Sequence, residues 1–426
     1  MPKKTLLIIF TYKYPFEPPT EQFLDDELPY LLKEDIDVLF VPTSRSKSDV
    51  QYPIVNGNKA LSIHEIKRAS ILKELFIGIV FTLGSLKYLF SDLFRLGHHV
   101  KPGYWLYAFK TTLLQYIHGN ALFYEFKKQI PKSIFQDRSD VILYSYWLNA
   151  TAYAEALYKK HLRSKLGIRA KAFARAHGDG DIYFNVALKN YRPFVSYLNR
   201  EIDAFFPISD GGENKLKKQG FRNTEIYRLG VVRRSDFIPA QTGTPLIVSC
   251  SVINDNKRVE KIAEILSAFS EKVRWVHFGG GPNEQKVFAF CKKILPANVE
   301  FELRGWTDHN AVMSFYGKER PDLFINASKV EGIPVSVMEA MSFSIPCVAT
   351  DVGASREIVK DNSNGFLLKP DFDPKETAQK IIQYLYRDSH MHNQIRRNAY
   401  DTFLKGYESD NNYTVFAKRI ISDKRN

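Results

Sequence analysis

The chain has 426 residues, so at roughly 150 residues per domain the length excludes one small module and fits two large domains. Hydrophobic residues make up 44% and charged residues 25%, a balance that excludes a disordered or fibrous chain. The net charge of +13 indicates nucleic acid, a phosphate-bearing substrate or an anionic membrane surface as partner. The three cysteines form no CxxC pair, which argues against a disulfide framework or a zinc site and favours a reducing, cytoplasmic compartment.

Short apolar runs typical of strands alternate with amphipathic stretches typical of helices along the first half of the chain. Helices are predicted around Glu21–Lys33 and over Ala150–Leu162. Such alternation predicts a parallel sheet covered by helices on both faces. The predicted strands of this half are Thr5–Phe10, Asp37–Val41, Val141–Tyr144, Arg169–Arg175, Asp203–Ile208 and Glu225–Leu229.

The segment Lys67–Lys132 is rich in Leu, Phe, Tyr and Trp, with Lys and Arg interspersed throughout. Its most apolar run, Leu75–Leu86, is shorter than the ~18 residues that a membrane-spanning helix needs. Two interpretations stay open: a buried helix, or a helix that lies in a membrane interface. Apolar bulk mixed with basic residues is typical of segments that bind anionic headgroups, so an anionic membrane surface is a predicted partner.

The stretch Val231–Pro245 is polar and lacks periodicity, and we interpret it as the connection between two domains. After it, strands and helices alternate again. We therefore predict an α/β fold with two Rossmann-like, doubly wound domains that face each other across a cleft. The predicted domains are 1–238, 239–405 and a C-terminal helix 406–426 that can cross back to the first domain. The predicted strands of the second half are Leu246–Ser249, Val273–Phe278, Val299–Leu303, Leu323–Ile325, Pro346–Thr350 and Gly365–Leu368.

The most informative motif runs from Asn326 to Ala340 and reads NASKVEGIPVSVMEA. It follows a predicted strand, and Pro334 suits the first position of a helix because its missing N–H costs nothing there. The start of a helix offers free backbone N–H groups and a positive dipole end, which together favour a phosphate. Glu331 and Glu339, eight residues apart, can hold two polyhydroxyl parts of one ligand.

The stretch EGIPVSVMEAMSFSIPCVATDVGASREIVKDNSNGFLL resembles the donor-binding region of retaining glycosyltransferases of family 4, which have two Rossmann-like domains of GT-B type. Bacterial enzymes of surface-polysaccharide synthesis are among them. The resemblance implies that Glu331 contacts the donor sugar and Glu339 the nucleotide ribose. It implies that the backbone of Gly332, Ile333, Pro334 and Val335 holds the diphosphate, and the glycine-rich stretch FGGGPNEQ adds Gly280 as a donor-binding residue.

The same resemblance implies basic residues that neutralise the departing diphosphate, in the loop SCSVINDNKRVEKI. Lys257 matches the lysine of the family pattern and is the predicted catalytic cation. Val252 stands where the family has an arginine. Arg258 either substitutes for that arginine in donor binding or contacts only solvent.

In the first half, His177 follows a predicted strand, and a histidine in that place is either structural or catalytic. The resemblance favours a catalytic His177 that faces the site of sugar transfer. The predicted catalytic residues are therefore His177, Glu331 and Lys257. The residues Glu21, Phe23 and Glu27 match a pattern of polysaccharide enzymes, and Glu21 and Asn149 are the predicted acceptor-binding residues.

The sequence therefore predicts a glycosyltransferase that moves a sugar from a nucleotide-sugar donor to a glycan or lipid-linked glycan, with retention of anomeric configuration. No cofactor and no metal are expected, because no DxD-type pair stands out. The expected place is the inner face of the cell membrane, in polysaccharide or lipopolysaccharide synthesis. A non-catalytic member that binds a sugar nucleotide or a partner chain is the alternative. Nucleic acid is not an expected partner, because no recognised nucleic-acid motif occurs.

Overall fold

The computed structural model describes residues 4–16, 21, 23–44, 60–68, 70–178, 191–386 and 388–422. They divide into two compact units, one formed by Leu229–Asn412 and one by the residues on either side of that range. The first break, between Arg228 and Leu229, lies ten residues before the predicted domain boundary at 238. The last four residues of the predicted C-terminal helix 406–426 lie outside the described residues.

The first unit contains a six-stranded parallel sheet with the strand order β3-β2-β1-β4-β5-β6. Its first strand is buried on both faces, because Leu6, Ile8 and Phe10 enter one core cluster and Leu7 and Ile9 enter another. This is the burial expected for a parallel strand covered by helices on both sides. The strands are β1 (Lys4–Thr11), β2 (Ile36–Pro42), β3 (Leu61–Ile63), β4 (Arg138–Ser145), β5 (Ala170–Ala176) and β6 (Ala204–Pro207).

The helices of the first unit cover both faces of this sheet and include three that fall within the predicted segment Lys67–Lys132. Helix α5 begins where the Asn149 side chain accepts a hydrogen bond from the Thr151 amide, and it ends at Gly167 in the left-handed conformation. The helices are α1 (Phe23–Leu32), α2 (Ile71–Leu83), α3 (Leu86–His99), α4 (Trp105–Gln129), α5 (Ala150–Leu166), α6 (Val195–Glu201) and α7 (Asp210–Gln219).

Two details of the first unit differ from the sequence prediction. The predicted strand Glu225–Leu229 is wrong: the segment is extended and two of its amides bond to the carbonyls of Phe205 and Pro207, but it forms no regular strand. The three-residue edge strand β3 was not predicted, because three residues are too few to show a periodic pattern.

The second unit contains a six-stranded parallel sheet of order β12-β11-β10-β7-β8-β9, and all six strands predicted for this half are present. Its strands are β7 (Leu246–Cys250), β8 (Val273–Phe278), β9 (Val299–Leu303), β10 (Leu323–Asn326), β11 (Cys347–Thr350) and β12 (Gly365–Leu368). Its helices are α8 (Val259–Leu266), α9 (Glu284–Ile294), α10 (His309–Glu319), α11 (Val335–Ser342), α12 (Ser355–Ile358), α13 (Pro374–Leu385) and α14 (Ser389–Gly406).

The predicted connection Val231–Pro245 is irregular, as expected, but it is anchored to the second unit. The Ile238 amide donates to the hydroxyl of Ser344 at 2.9 Å, and the Ala240 amide donates to the side-chain oxygen of Asn393 at 2.8 Å. The chain therefore enters the second unit before its first strand.

The final helix, α15 (Ser409–Ser422), returns to the first unit from Tyr413 onward. Phe416 and Ile420 are buried in the same core cluster as the residues of β1. The Arg419 guanidinium donates to both carboxylate oxygens of Glu225 at 2.8 Å. This confirms the expected helix that crosses back to the first domain.

Both sheets have a point where the chain reverses its direction of strand addition, between β1 and β4 in the first and between β7 and β10 in the second. In open parallel sheets, ligands bind outside the carboxyl ends of the strands at this point. The loops that follow these four strands are therefore where each unit is expected to hold its functional side chains.

Candidate active site

In the second unit, the loops after β7 and β10 meet at the reversal point through a pair of opposite charges. The Lys257 ammonium, after β7, lies 2.6 Å from Oε1 of Glu331, after β10. The Asn326 side-chain amide donates to the same oxygen at 3.1 Å. Glu331 is buried, whereas the Lys257 side chain remains partly exposed, so the cation can also reach a ligand.

Asn256 holds these two loops together, although no sequence motif singles it out. Its side-chain oxygen accepts from the Val330 amide at 3.0 Å, and its side-chain amide donates to the Val330 carbonyl at 3.1 Å. Its carbonyl accepts from the Lys329 amide at 2.8 Å. These bonds fix the backbone directly before Glu331, so Asn256 is a positioning residue.

The backbone from Glu331 to Val335 is packed against the loop after β11. Gly353 has a φ of +58°, and a Cβ atom there would lie 1.8 Å from the Glu331 carbonyl oxygen. The Ala354 amide donates to the Gly332 carbonyl at 2.8 Å. Pro334 caps α11 and precedes its first helical residue, Val335, by one position. The predicted arrangement of a tight loop followed by a helix start is therefore present.

Glu339 lies in α11, and its Oε1 is 2.8 Å from Nε2 of His309, the first residue of α10. Both side chains retain access to solvent. Burial and, to a smaller extent, the nearby Glu339 carboxylate raise the pKa of the Cys250 thiol to about 12. Cys250 is therefore a neutral thiol at the end of β7. His309 was not predicted, because its proximity to Glu339 arises from the fold and not from sequence spacing.

Arg258 does not contact only solvent, and that alternative is wrong. Its guanidinium donates to the carbonyls of Ala327, Ser328 and Pro370 at 2.6, 3.3 and 2.9 Å. The residue has a φ of +47° and caps α8. Three carbonyl contacts join the loops after β7, β10 and β12, so Arg258 stabilises the backbone around the site. Its role toward a donor stays a prediction.

The glycines after β8 allow their loop to lie directly on the loop after β7. A Cβ atom on Gly279 would lie 2.0 Å from the Ser251 carbonyl oxygen, and one on Gly281 would lie 2.4 Å from that of Ile253. At Gly280 a Cβ atom would lie 2.8 Å from the ring of Trp306. Trp306 is 74% exposed, so the predicted donor residue Gly280 lies beside a large aromatic surface that the sequence prediction missed.

In the first unit, Glu21 is buried at the reversal point between β1 and β4. Its carboxylate accepts from the amides of Tyr12, Lys13 and Tyr14 at 2.6, 2.9 and 2.8 Å. It also accepts from Nε1 of Trp147, after β4, at 2.6 Å. The carboxylate therefore accepts four hydrogen bonds and holds the loops after β1 and β4 together. Its predicted contact with an acceptor stays a prediction.

His177 follows β5 and lies among aromatic rings. Its ring centroid is 4.7 Å from those of Tyr146 and Trp147, and 6.3 Å from that of Phe23. Burial, with a contribution from the Arg175 charge, holds the pKa of His177 well below its usual value. His177 is therefore a neutral imidazole, which can bind through hydrogen bonds but carries no positive charge near pH 7.

The structure brings His177 and Glu21 together through Trp147, which contacts both. Asn149 lies two residues further on, where its side chain caps α5. Glu331, Gly332, Lys257 and Glu339 lie at the carboxyl edge of the second sheet. Among the described residues, no group of three or more His, Cys, Asp or Glu side chains could hold a metal ion.

Residues 233–402 match the family model described as glycosyl transferases group 1. The second unit carries a group 1 glycosyl transferase domain. This domain includes Lys257, Glu331 and Glu339, whose roles toward a donor stay predictions.

Two curated relatives from Escherichia coli K12 extend the similarity. The putative colanic acid biosynthesis glycosyltransferase WcaL is 29% identical over 236 residues, which cover 52% of this chain and 57% of that protein. A lipopolysaccharide 1,6-galactosyltransferase is 22% identical over 277 residues, which cover 63% of this chain and 73% of that protein. The chain thus spans little more than half the length of WcaL.

Solved structures match over nearly the whole chain. Anabaena Alr3699/HepE in complex with UDP-glucose has a TM-score of 0.64 at 13% identity, covering 98% of this chain and 100% of that one. The lipopolysaccharide outer core galactosyltransferase WaaB in its apo form has a TM-score of 0.65 at 14% identity, covering 99% and 100%. At these identities the likeness shows the fold, which is the predicted GT-B architecture.

Proposed function

We propose that this chain is a glycosyltransferase that moves a sugar from a nucleotide-sugar donor to a hydroxyl group of a glycan. The observation that carries the proposal is the Lys257–Glu331 pair at the reversal point of the second sheet, within the group 1 domain. A cation beside a carboxylate suits a donor that has a diphosphate next to a polyhydroxyl sugar.

In this proposal, Glu331 binds hydroxyl groups of the donor sugar, and Glu339 with His309 binds the ribose. Lys257 and the backbone from Gly332 to Val335 hold the diphosphate. Charge builds on the departing phosphate during transfer, and fixed positive groups placed there accelerate the reaction because they need no reorganisation. Lys257 then exchanges its contact with Glu331 for one with the diphosphate.

We propose retention of the anomeric configuration and catalysis without a metal ion, both supported by the family resemblance of the donor motif. We propose His177 as the group of the first unit that orients the sugar or the acceptor. Its neutral imidazole lies at a strand end beside two aromatic rings, and aromatic faces are suitable contacts for sugar rings.

For the acceptor, we propose a lipid-linked glycan extended at the inner face of the cell membrane during polysaccharide or lipopolysaccharide synthesis. The support is the +13 charge, the apolar basic segment Lys67–Lys132 and the names of the relatives, which refer to colanic acid and lipopolysaccharide.

A panel of UDP-, GDP-, ADP- and CMP-sugars tests the proposal, first by thermal shift and then by transfer to glycan acceptors with and without EDTA. We expect transfer to survive EDTA and to be lost in Glu331→Ala. In NMR, the anomeric proton of the transferred sugar should show the same configuration as in the donor. Glu300→Ala, at an exposed position of β9 in the same unit, is the matched control. Turnover by Glu331→Ala at the level of this control would overturn the assigned role of Glu331.

A non-catalytic member that binds a sugar nucleotide is the second candidate, favoured by one observation: Val252 stands where the resembled family has an arginine. The same panel separates the two candidates. Saturable binding of a sugar nucleotide without turnover on any acceptor would favour the second candidate over the first.

A further inference from the structure

The surface formed by α2, α3 and the start of α4 exposes many large apolar side chains. Leu72 is 81% exposed, Phe76 69% and Leu106 75%. A globular protein rarely leaves a contiguous group of such side chains in water unless another surface covers it. We call this surface the apolar platform; its members are Ile71, Leu72, Leu75, Phe76, Ile79, Val80, Leu83, Leu86, Phe90, Phe94, Tyr104, Trp105, Leu106, Tyr107 and Leu114.

Helix α2 has the reverse of the amphipathic pattern of a surface helix. Its inner face carries Gly78, where a Cβ atom would lie 2.3 Å from the Ile117 carbonyl oxygen of α4. It also carries Thr82, whose hydroxyl donates to the Gly78 carbonyl at 2.7 Å and accepts from the Asn120 amide at 3.2 Å. Apart from the buried Ile77, small and polar residues thus face the protein, and most large apolar residues face outward. This arrangement is typical of helices that pack together in lipid.

Helix α3 continues the platform. Leu86, Phe90 and Phe94 are spaced four residues apart and project from one face, whereas Leu89 and Leu96 are buried on the other. Both α2 and α3 therefore have one face on the protein and one apolar face outward.

The start of α4 adds an aromatic group, Tyr104, Trp105 and Tyr107, in which all three side chains are about half exposed. Tyr and Trp are enriched where hydrocarbon meets headgroups, because their rings are apolar and their N–H and O–H groups remain solvated. This composition favours a lipid interface over a dry protein interface.

Among the side chains that the structure describes between Ser70 and Leu114, the exposed charges are all positive. Between Ser70 and Leu114 the chain has five basic residues and only two acidic ones, Glu74 and Asp92. Glu74 accepts from the Arg68 guanidinium through both oxygens at 2.7 Å, and Asp92 is buried and accepts from the Tyr116 hydroxyl. The exposed charges are Lys73, Lys87, Lys101 and Lys110. The surface therefore complements an anionic partner.

No single helix of the described residues is long and apolar enough to cross a bilayer. Helices Ile71–Leu83 and Leu86–Gly97 pass such a test only as a pair, bent by 90° at their junction. The inner faces of both pack on the first unit, through Gly78 and Leu96 among others. Helices held in this way expose only one side to lipid, which fits shallow insertion better than a span.

We propose that the apolar platform inserts into the headgroup and upper acyl region of an anionic bilayer, with Lys73, Lys87, Lys101 and Lys110 against the lipid phosphates. The inference rests on the proposed work at a membrane, for which it names the surface and the mode of binding, but it does not depend on transfer chemistry. Apolar burial supplies the attraction at short range, and the lysines select anionic lipid.

Flotation with vesicles of phosphatidylcholine, with and without phosphatidylglycerol, tests the proposal on the full chain. We expect flotation with the anionic vesicles that weakens at high salt. The variant Phe76→Glu/Phe90→Glu should lower the partition coefficient about tenfold or more, because each ring loses its burial in lipid. Phe288→Glu, at an exposed phenylalanine of the second unit, is the matched control and should float like the unmodified chain.

Charge reversal gives an independent measurement. Lys87→Glu should lower binding to anionic vesicles by about fivefold or more and leave binding to neutral vesicles unchanged, since each basic residue near the surface adds to the attraction. Lys293→Glu in the second unit is the control. Absence of flotation at low salt, or equal flotation of all variants, would overturn the proposal.

Trp105 reports insertion directly. Its fluorescence should shift to shorter wavelength with anionic vesicles and be quenched by lipids brominated in the upper acyl chain, and Trp105→Phe should remove that response.

A dimer in solution that Phe76→Glu/Phe90→Glu dissociates, with no vesicle binding, would assign the platform to a second copy of this chain instead. Binding of a sugar nucleotide by these variants is measured in parallel, so a failed membrane contact and a failed donor site remain distinguishable.

Discussion

The carboxyl edges of the two sheets use their charged residues in different ways. In the second sheet, Lys257, Glu339 and His309 are only partly buried, so their side chains retain access to solvent. In the first sheet, Glu21 is fully buried and four donors within the protein occupy its carboxylate. The same position in two sheets of the same topology thus holds solvent-accessible charged groups in one unit and a carboxylate occupied by protein donors in the other.

A charged residue at a strand end is therefore not by itself a binding residue. What decides is whether the fold supplies the partners of the charge. Substitutions at the second edge should therefore change binding and transfer with the fold intact, whereas substitutions at the first should change stability.

The largest effect is expected for Glu331→Ala. If Glu331 binds the reacting sugar as proposed, its loss should lower kcat by about a thousandfold, in the range found for fixed polar groups at reaction centres. Steady-state transfer kinetics measure this, and the circular dichroism spectrum should be unchanged. Glu264→Ala, on the partly exposed side of α8, should keep full activity. A loss below tenfold in Glu331→Ala would place this glutamate outside the reaction centre.

Glu21→Gln should lower the local stability of the turn Tyr12–Tyr14. The glutamine keeps one acceptor oxygen but turns an N–H₂ group toward amide donors, so about two of the four hydrogen bonds are lost. Bonds to a charged acceptor contribute about 1.5–3 kcal/mol each, so the loss of two should make local opening at least about a hundredfold more frequent. Hydrogen exchange of the Tyr12–Tyr14 amides measures it.

The control for Glu21→Gln is Glu34→Gln, at a partly exposed position in the turn after α1, which should leave that exchange unchanged. If Glu21→Gln instead raised KM for an acceptor with unchanged exchange, the first edge would be a binding site like the second. The comparison between the two edges would then fail.

The sequence predicted the second edge well because Glu331, Gly332, Pro334 and Glu339 form one continuous motif on one loop and helix. It could not predict Asn256 or the carbonyl contacts of Arg258, because their partners are brought near by strands distant in the chain. The fold class follows from the alternation of apolar strand-like runs with amphipathic helical stretches. The edge strand β3 has three residues, which are too few to show a periodic pattern. For Glu21, the resemblance implied contact with an acceptor, but the turn of Tyr12–Tyr14 around its carboxylate arises only in the folded chain.

Lys257→Ala should weaken binding of a nucleoside diphosphate about tenfold, because a charge-assisted contact to phosphate is lost. Calorimetric titration with UDP and with uridine separates the loss of a phosphate contact from a disturbed loop. If only the phosphate contact is lost, the uridine affinity should change little. Lys261→Ala, on the following helix turn and paired with Glu264, is the control. An equal loss for uridine and UDP would mean that Lys257 maintains the loop through Glu331 instead of contacting phosphate.

The smallest effect concerns acid sensitivity of the first edge. Burial holds the pKa of His177 well below its unfolded value of about 6.5, so the unfolded chain binds the proton more readily. The contribution of the neutral His177 to the free energy of unfolding is therefore fully present above about pH 6.5. It decreases as the pH falls toward the folded pKa, by at most about 1.4 kcal/mol per pH unit. Melting temperatures at pH 7.5, 6.5 and 5.5 measure this. His177→Phe should reduce the slope, whereas His390→Phe, at an exposed position of α14, should not. An unchanged slope in His177→Phe would show that the imidazole is open to solvent, and the first edge would then resemble the second.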